Sequence, residues 1–209
     1  MYYKGLDFYK SGFPARYGGK LSSVVDIKTR PGDMQEYHGT FNIGLLNGGL
    51  QFEGPIVKGK TSFNIAARRS WLDVITVPFN LISNKVLEKK NRSRDFHYSM
   101  TDLNASITHQ FKKDSRLSAN FYYGADRLGF QTSDIDKTDD LDLKWGNILG
   151  SLNWKKQFSD DLHLNTSLHY VRSYTDVDLL HVYENTYSAQ QNISYLNDIG
   201  AKVELDWMP

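Results

Sequence analysis

The run Asp102-Leu103-Asn104-Ala105-Ser106-Ile107-Thr108-His109-Gln110-Phe111 decides the fold. Successive side chains of a strand point to opposite faces. Leu103, Ala105, Ile107, His109 and Phe111 therefore share one face, and Asp102, Asn104, Ser106, Thr108 and Gln110 share the other. The same division recurs downstream. One face is built from Leu117, Ala119, Phe121, Tyr123 and Ala125, then from Ile148, Gly150, Leu152 and Trp154. It continues with Leu162, Leu164, Thr166, Leu168 and Tyr170, and ends with Ile199, Ala201, Val203, Leu205 and Trp207. Upstream, Phe41, Ile43 and Leu45, then Leu50 and Phe52, then Phe63, Ile65 and Ala67, keep the period. The expectation is an all-β chain of about eight antiparallel strands. A one-residue slip would turn every strand over, so the pattern also specifies register.

Several of these strands exceed ten residues, whereas soluble strands average about 5 to 6. A tilted strand crossing a membrane needs about 9 to 11. The connections sort by side. Tight polar turns are expected at Val57-Lys58-Gly59-Lys60, Lys112-Lys113-Asp114-Ser115 and Ser159-Asp160-Asp161, with a tight hairpin at Asn47-Gly48-Gly49. Long polar loops are expected from about Asp73 to Asp95, Arg127 to Lys144 and Asp178 to Leu196. Short turns on one side and long loops on the other characterise outer-membrane barrels. Trp71, Phe111, Tyr123, Trp154, Tyr170 and Trp207 fall toward strand ends, where amphipathic rings meet a membrane interface.

Composition narrows the classes. In 209 residues there are 4 Trp, 13 Tyr and 11 Phe, too many for a disordered chain. A formal charge of +1 gives no basic surplus for nucleic acid. The absence of cysteine removes disulfide and zinc-thiolate frameworks. The longest apolar stretch, Val74 to Ile82, is broken by Pro78 and Asn80 and is too short for a spanning helix. Met1 to Asp7 lacks an apolar h-region, so no signal peptide is expected there.

Residues 1–33 leave the strand rhythm. Phe13-Pro14-Ala15-Arg16-Tyr17-Gly18-Gly19-Lys20 is turn chemistry. Leu21 to Thr29 reads as a strand buried on both faces, because Val24 opposes Leu21, Val25 and Ile27, and Pro31-Gly32-Asp33 ends it. The run from Gly12 to Arg30 resembles the end of the plug domain of TonB-dependent outer-membrane receptors of the Bacteroidetes type. Phe52-Glu53-Gly54-Pro55-Ile56, Lys60-Thr61-Ser62-Phe63 and Arg68-Arg69-Ser70-Trp71 resemble their first periplasmic turn and third strand.

The resemblance implies a plug end over 1–33 and the first part of a transmembrane β-barrel over 34–209. Such receptors close 22 strands around a plug. The chain would then be a fragment, lacking most of the plug and about fourteen strands of that 22-stranded barrel. It also implies nutrient uptake across a bacterial outer membrane, with lipid around the barrel and a small nutrient ligand at the outer loops. A TonB-type periplasmic energy transducer, reached through a region not present here, and a surface lipoprotein would be its partners. Arg16, Asp26 and Arg30 in the tail, and Arg68, Asp102, Lys202 and Glu204 on the polar face, carry charges suited to pairing across the plug–barrel boundary.

Motifs for chemistry are missing: the sequence has no GxGxxG, P-loop, HExxH or GxSxG. No catalytic residue, resident metal or cofactor is expected, and the chain does not read as an enzyme. His163 and His169 share a face but lie about 20 Å apart along a strand, too far for one metal. The acidic run Asp134, Asp136, Asp139, Asp140 and Asp142 fails the EF-hand template, with Asp139 where glycine is needed and Trp145 where a glutamate is needed. It reads as a solvated outer loop, with an irregular surface calcium site as the alternative. A passive porin-like barrel and a soluble β-sandwich binding module are the other readings of the whole.

Overall fold

The computed structural model describes residues 3–10, 17, 22–89, 91–112, 114–184 and 186–208. Two sheets account for its strands. The first pairs β1 (Tyr3–Tyr9) with β2 (Val24–Thr29), antiparallel. The second holds β3 (His38–Ile43), β4 (Asn47–Val57), β5 (Thr61–Ser70), β6 (Ser93–Lys112), β7 (Ser115–Asp134), β8 (Lys137–Gln157), β9 (Leu162–Tyr183) and β10 (Thr186–Trp207). Each pairs with its neighbours in chain order, so the sheet is an antiparallel meander open at β3 and β10. β3 has 6 residues and β10 has 22, so closing one edge on the other would leave most of β10 bare.

The eight strands expected from alternation are the eight of this sheet, but four connections differ. The expected loop 127–144 is the distal half of β7 and β8, joined by a turn at Ile135 and Asp136. Most of the expected loop 178–196 belongs to β9 and β10, which turn at Glu184. The alternation does not stop there; it changes phase. In β7 the apolar positions pass from Phe121 and Tyr123 to Leu128 and Phe130, and in β9 from Leu168 and Tyr170 to Val177 and Leu179. Each pair jumps from one face to the other, so a search along one face sees the strand end.

The first hairpin also differs. The chain reverses at Gly44–Leu46, where the Gly44 N–H donates to the Asn47 carbonyl at 2.7 Å, and Asn47-Gly48-Gly49 already belongs to β4. Leu45 lies in this turn rather than on β3.

The fourth difference is a helix. Leu72–Glu88 forms α1 where a polar loop was expected. Its cause lies in unequal strand lengths: β6 continues past the end of β5, leaving backbone groups of an edge unpaired. α1 covers them with side-chain amides one turn apart. Asn80 Nδ2 donates to the Phe96 carbonyl at 2.9 Å, and Asn84 Oδ1 accepts from the Arg94 N–H at 2.7 Å. Ser70 Oγ accepts from the Met100 N–H at 2.8 Å. The polar stripe of α1 is spent on β6, while Val74, Val77, Phe79, Leu81, Ile82 and Val86 stay exposed. Among the described residues no helix is long and apolar enough to cross a membrane.

β2 is not buried on both sides as the sequence suggested. Val25 and Ile27 are half-exposed, and Ile27 lines an open space between the tail and the polar face of the large sheet. The approach is closest at Gly32, where an added Cβ would stand 1.9 Å from the Phe63 carbonyl oxygen. That atom is backbone of β5 and does not yield to a rotamer change. Gly32→Ala is expected to push the tail off the sheet, seen as faster amide exchange in β2 with β6–β10 unaffected. Unchanged exchange in β2 would show that the tail is held elsewhere.

Candidate functional site

The large sheet buries its polar face and bares its apolar one. Ser62 and Asn64 are fully buried, and Glu53, Asp102, Ser106 and Thr108 nearly so. All six point to the side on which the tail lies. On the opposite face Leu50, Phe52, Ile107, Leu152, Leu168, Ile199 and Val203 remain exposed, from 47% at Leu152 to 75% at Ile199. Water as the only solvent would drive the reverse arrangement, since apolar area gains by leaving water and polar groups lose by it.

The tail reaches the polar face through a short chain of polar contacts. Arg30 Nη2 meets Glu53 Oε1 at 2.8 Å. The Arg30 carbonyl accepts from Asn64 Nδ2 at 3.2 Å, and Asn64 Oδ1 accepts from Gln51 Nε2 at 3.2 Å. Thr29 Oγ1 donates to Asn120 Oδ1 at 3.3 Å. Lys202 Nζ stands 5.6 Å above the Tyr17 ring, and the Tyr17 hydroxyl donates to Asp26 at 2.8 Å. Glu53, Asn64 and Asn120 were not singled out in the sequence. Their signal was present: polar residues at strand positions directly opposite other polar residues.

The expected charged residues divide. Arg30 and Lys202 contact across the two sheets, and Asp26 bonds within the tail. Arg68 and Asp102 face each other across β5 and β6, with Nε to Oδ2 at 2.9 Å, and Tyr122 donates to the second Asp102 oxygen at 3.0 Å. Lys202 and Glu204 pair along β10 at 2.7 Å. Arg16 lies outside the described residues, as does most of the turn from Phe13 to Lys20.

The aromatics Phe111, Tyr123, Trp154, Tyr170 and Trp207 all lie on the apolar face. Phe111, Trp154 and Trp207 sit near the proximal turns, and Trp154 Nε1 donates to Ser115 Oγ at 3.1 Å. Tyr123 and Tyr170 are mid-strand rather than near strand ends, because β7 and β9 run on beyond them. They mark instead the upper limit of the apolar stretch. Trp71 precedes α1, lies across Gly48, and donates Nε1 to the Leu45 carbonyl at 3.0 Å.

Beyond Tyr123 the faces exchange character. Phe96, Phe130, Leu141 and Leu179 form one cross-strand row on the polar face, and Tyr98, Leu128, Leu143 and Val177 form the next. The opposite face there carries ions. Arg127 binds Asp142 through two contacts of 2.8 and 2.9 Å, and Lys144 reaches Asp142 at 2.9 Å and Asp178 at 3.5 Å. The Arg127 guanidinium, and then Lys144, hold the Asp142 carboxyl below its ordinary value. A carboxyl with a lowered folded-state pKa contributes stability that is complete above its unfolded value and lost as pH falls through the lowered one. Amide exchange at the distal ends of β7 and β8 is therefore expected to rise only under acid below the ordinary carboxylate range. Asp142→Asn should remove that acid step, and an unchanged profile would refute the ladder.

Asp134, Asp139 and Asp142 of the acidic run are taken up by such pairs. Asp134 meets Arg92 at 2.8 Å, and Asp139 meets Lys137 at 3.0 Å and also His181. Among the described residues no three His, Asp or Glu side chains converge to hold a metal ion. Comparison with protein-family models, curated proteins and solved structures gives no match.

Proposed function

We propose that this chain is wall and plug end of an active transporter of a bacterial outer membrane, not an enzyme. In this reading β3–β10 are the first strands of a larger transmembrane barrel. Residues 1–33 are the end of a plug lying on its inner surface. The carrying observation is the inverted burial: polar side chains lie covered under the tail while an apolar face stands bare. A bilayer reverses the solvent on that face and leaves the polar face to line a lumen.

The dimensions agree with this placement. On β10 the apolar-face positions from Tyr195 to Trp207 span about 40 Å along the strand at ~3.3 Å per residue. At the ~45° tilt of membrane strands that is about 28 Å, near the thickness of a hydrocarbon core. The ionic rungs at Arg127, Asp142 and Lys144 then lie outside the hydrocarbon, above the row of Tyr174 and Tyr195. The distal halves of β6–β10 project outward, where a nutrient such as an iron chelate, a cobalamin or a glycan would be met. A TonB-type transducer would act through plug not present in this chain, and a surface lipoprotein would work from the outer side.

The test of membrane placement uses the chain in bilayers with brominated acyl chains. Fluorescence of Trp154 and Trp207 should be strongly quenched. A monodisperse, detergent-free monomer with unquenched tryptophans would replace the reading by a soluble module. Transport is tested by disrupting the gene in its native host and measuring uptake of chelates, cobalamins and oligosaccharides with and without a protonophore. Loss of a protonophore-sensitive uptake supports the proposal. Loss of an insensitive flux would make the protein a passive porin.

A further inference from the structure

The polar face holds one cross-strand pair that the chain leaves electrically unresolved. Arg116 on β7 stands directly opposite Lys155 on β8. Like charges directly opposite on one face of a sheet repel. Neither side chain has an ion-pair partner among the described residues. Arg116 Nε is buried and donates to nothing, and on β9 the Asn165 Oδ1 is likewise buried without a donor. Glu204, the carboxylate in the same row, is held by Lys202 at 2.7 Å and by Asn165 Nδ2 at 3.0 Å.

The chain meets the same problem elsewhere and answers it. Arg127 and Lys144 are also directly opposite, on the same two strands. There Asp142 lies beside them and bonds to both, at 2.8 and 2.9 Å. At Arg116 and Lys155 that carboxylate has no counterpart. What stands there instead is space. Two open cavities of about 830 and 970 Å³ meet at this row, and Arg116 and Lys155 line both. Ser118 and Asn153, directly opposite each other two residues farther along the strands, add a hydroxyl and an amide.

We propose that Arg116 and Lys155 form a binding site for an oxyanion, the carboxylate or phosphate group of a small solute entering these cavities. The guanidinium of Arg116 offers a planar fork suited to two oxygens of one anion, and Lys155 adds a compact charge from the neighbouring strand. An oxyanion placed between them does for this row what Asp142 does for the distal one. Its oxygens accept from the Arg116 guanidinium and from the Lys155 ammonium. The site is a property of the wall and holds whether or not the chain belongs to a transporter.

The experiment titrates the full chain in neutral-detergent micelles with inorganic phosphate and, separately, with citrate. Sodium chloride keeps ionic strength constant, and calorimetry reads binding. Saturable binding is expected to weaken about tenfold in Arg116→Gln and in Lys155→Gln, each losing a charge-assisted contact. Tighter phosphate binding assigns the site to phosphorylated solutes; tighter citrate binding assigns it to carboxylates. Lys155→Glu supplies an anion within the wall, so it should unfold at a higher temperature than the wild type and no longer respond to either probe. Far-UV circular dichroism checks that each variant keeps its β content. Equal affinities in wild type and both glutamine variants, or no saturable binding with Lys155→Glu less stable than the wild type, would overturn the proposal.

Discussion

Arginine at Leu168 is expected to cost the folded chain about 2 to 4 kcal/mol in a bilayer, and arginine at His169 less than about 1 kcal/mol. The two residues are neighbours in sequence and opposite in solvent. Leu168 lies in a cross-strand row with Ile107, Ala119, Leu152 and Ala201, midway up the apolar stretch, and is 48% exposed. In the proposed orientation that exposure is to acyl chains near the midplane, where a guanidinium has neither water nor a carboxylate. His169 lies in the row of Ser106, Asn120, Ser151 and Gly200. Its Nε2 is 3.4 Å from Asp198, itself on the rim of the open sheet, so an arginine there finds an anion and water. Unfolding by urea from lipid vesicles measures both. Equal penalties would mean that the register is wrong. A larger penalty at His169 would mean that the faces are exchanged and the sheet belongs in water.

The eight strands of the large sheet and the polarity of each face in their proximal halves are legible in the sequence because they depend on local alternation. The distal halves of β7 to β10 were not, for a reason visible in Leu128 and Phe130. The rule that apolar residues occupy one face holds only while one solvent lies on each side. At Tyr123 the solvent outside the sheet changes from hydrocarbon to water in the proposed placement, and the pattern changes phase with it. A reading that follows one face takes such a point for a loop. α1 was hidden differently. Asn80 and Asn84 look like loop residues, and their use as surrogate strand partners for Arg94 and Phe96 depends on β6 outrunning β5. That difference in length belongs to pairing, not to either segment alone.

The contacts of the tail were half legible. Charges in Arg30 and Lys202 could be suspected, but Glu53 could not be named as the partner. Its burial follows from where the tail lands, and Gly32 fixes that place by allowing backbone to touch backbone at Phe63. Arg116 and Lys155 passed without notice for the opposite reason. Each is an ordinary polar-face residue until the register sets one against the other.

Arg30→Ala should destabilise the chain by about 2 to 3 kcal/mol, chiefly through what it leaves behind. Glu53 is 3% exposed, and its Oε2 has no partner even with Arg30 in place. Taking away the guanidinium leaves a buried carboxylate unpaired, a loss of about 3 to 5 kcal/mol where both partners are buried. The Arg30 side chain is 46% exposed, so water can follow it in and return part of that cost. Glu53→Gln in the Arg30→Ala background should recover most of the loss, because a buried amide is far cheaper than a buried charge. The double-mutant cycle, read by urea unfolding in micelles, then gives a coupling of about 1 to 3 kcal/mol. Strict additivity would show that the tail does not depend on this pair. A positive result has a mechanical meaning for the proposed plug end. The tail is held on the wall by Arg30, Thr29 and the Lys202–Tyr17 contact, each of which water can replace. Its own apolar residues Val25 and Ile27 are half-exposed rather than sunk into the wall. A pull on such a segment breaks a few polar contacts one after another and exposes little new apolar surface. The wall, held by continuous cross-strand pairing along the length of β6 to β10, on the order of one hydrogen bond per residue, stays intact while the tail moves.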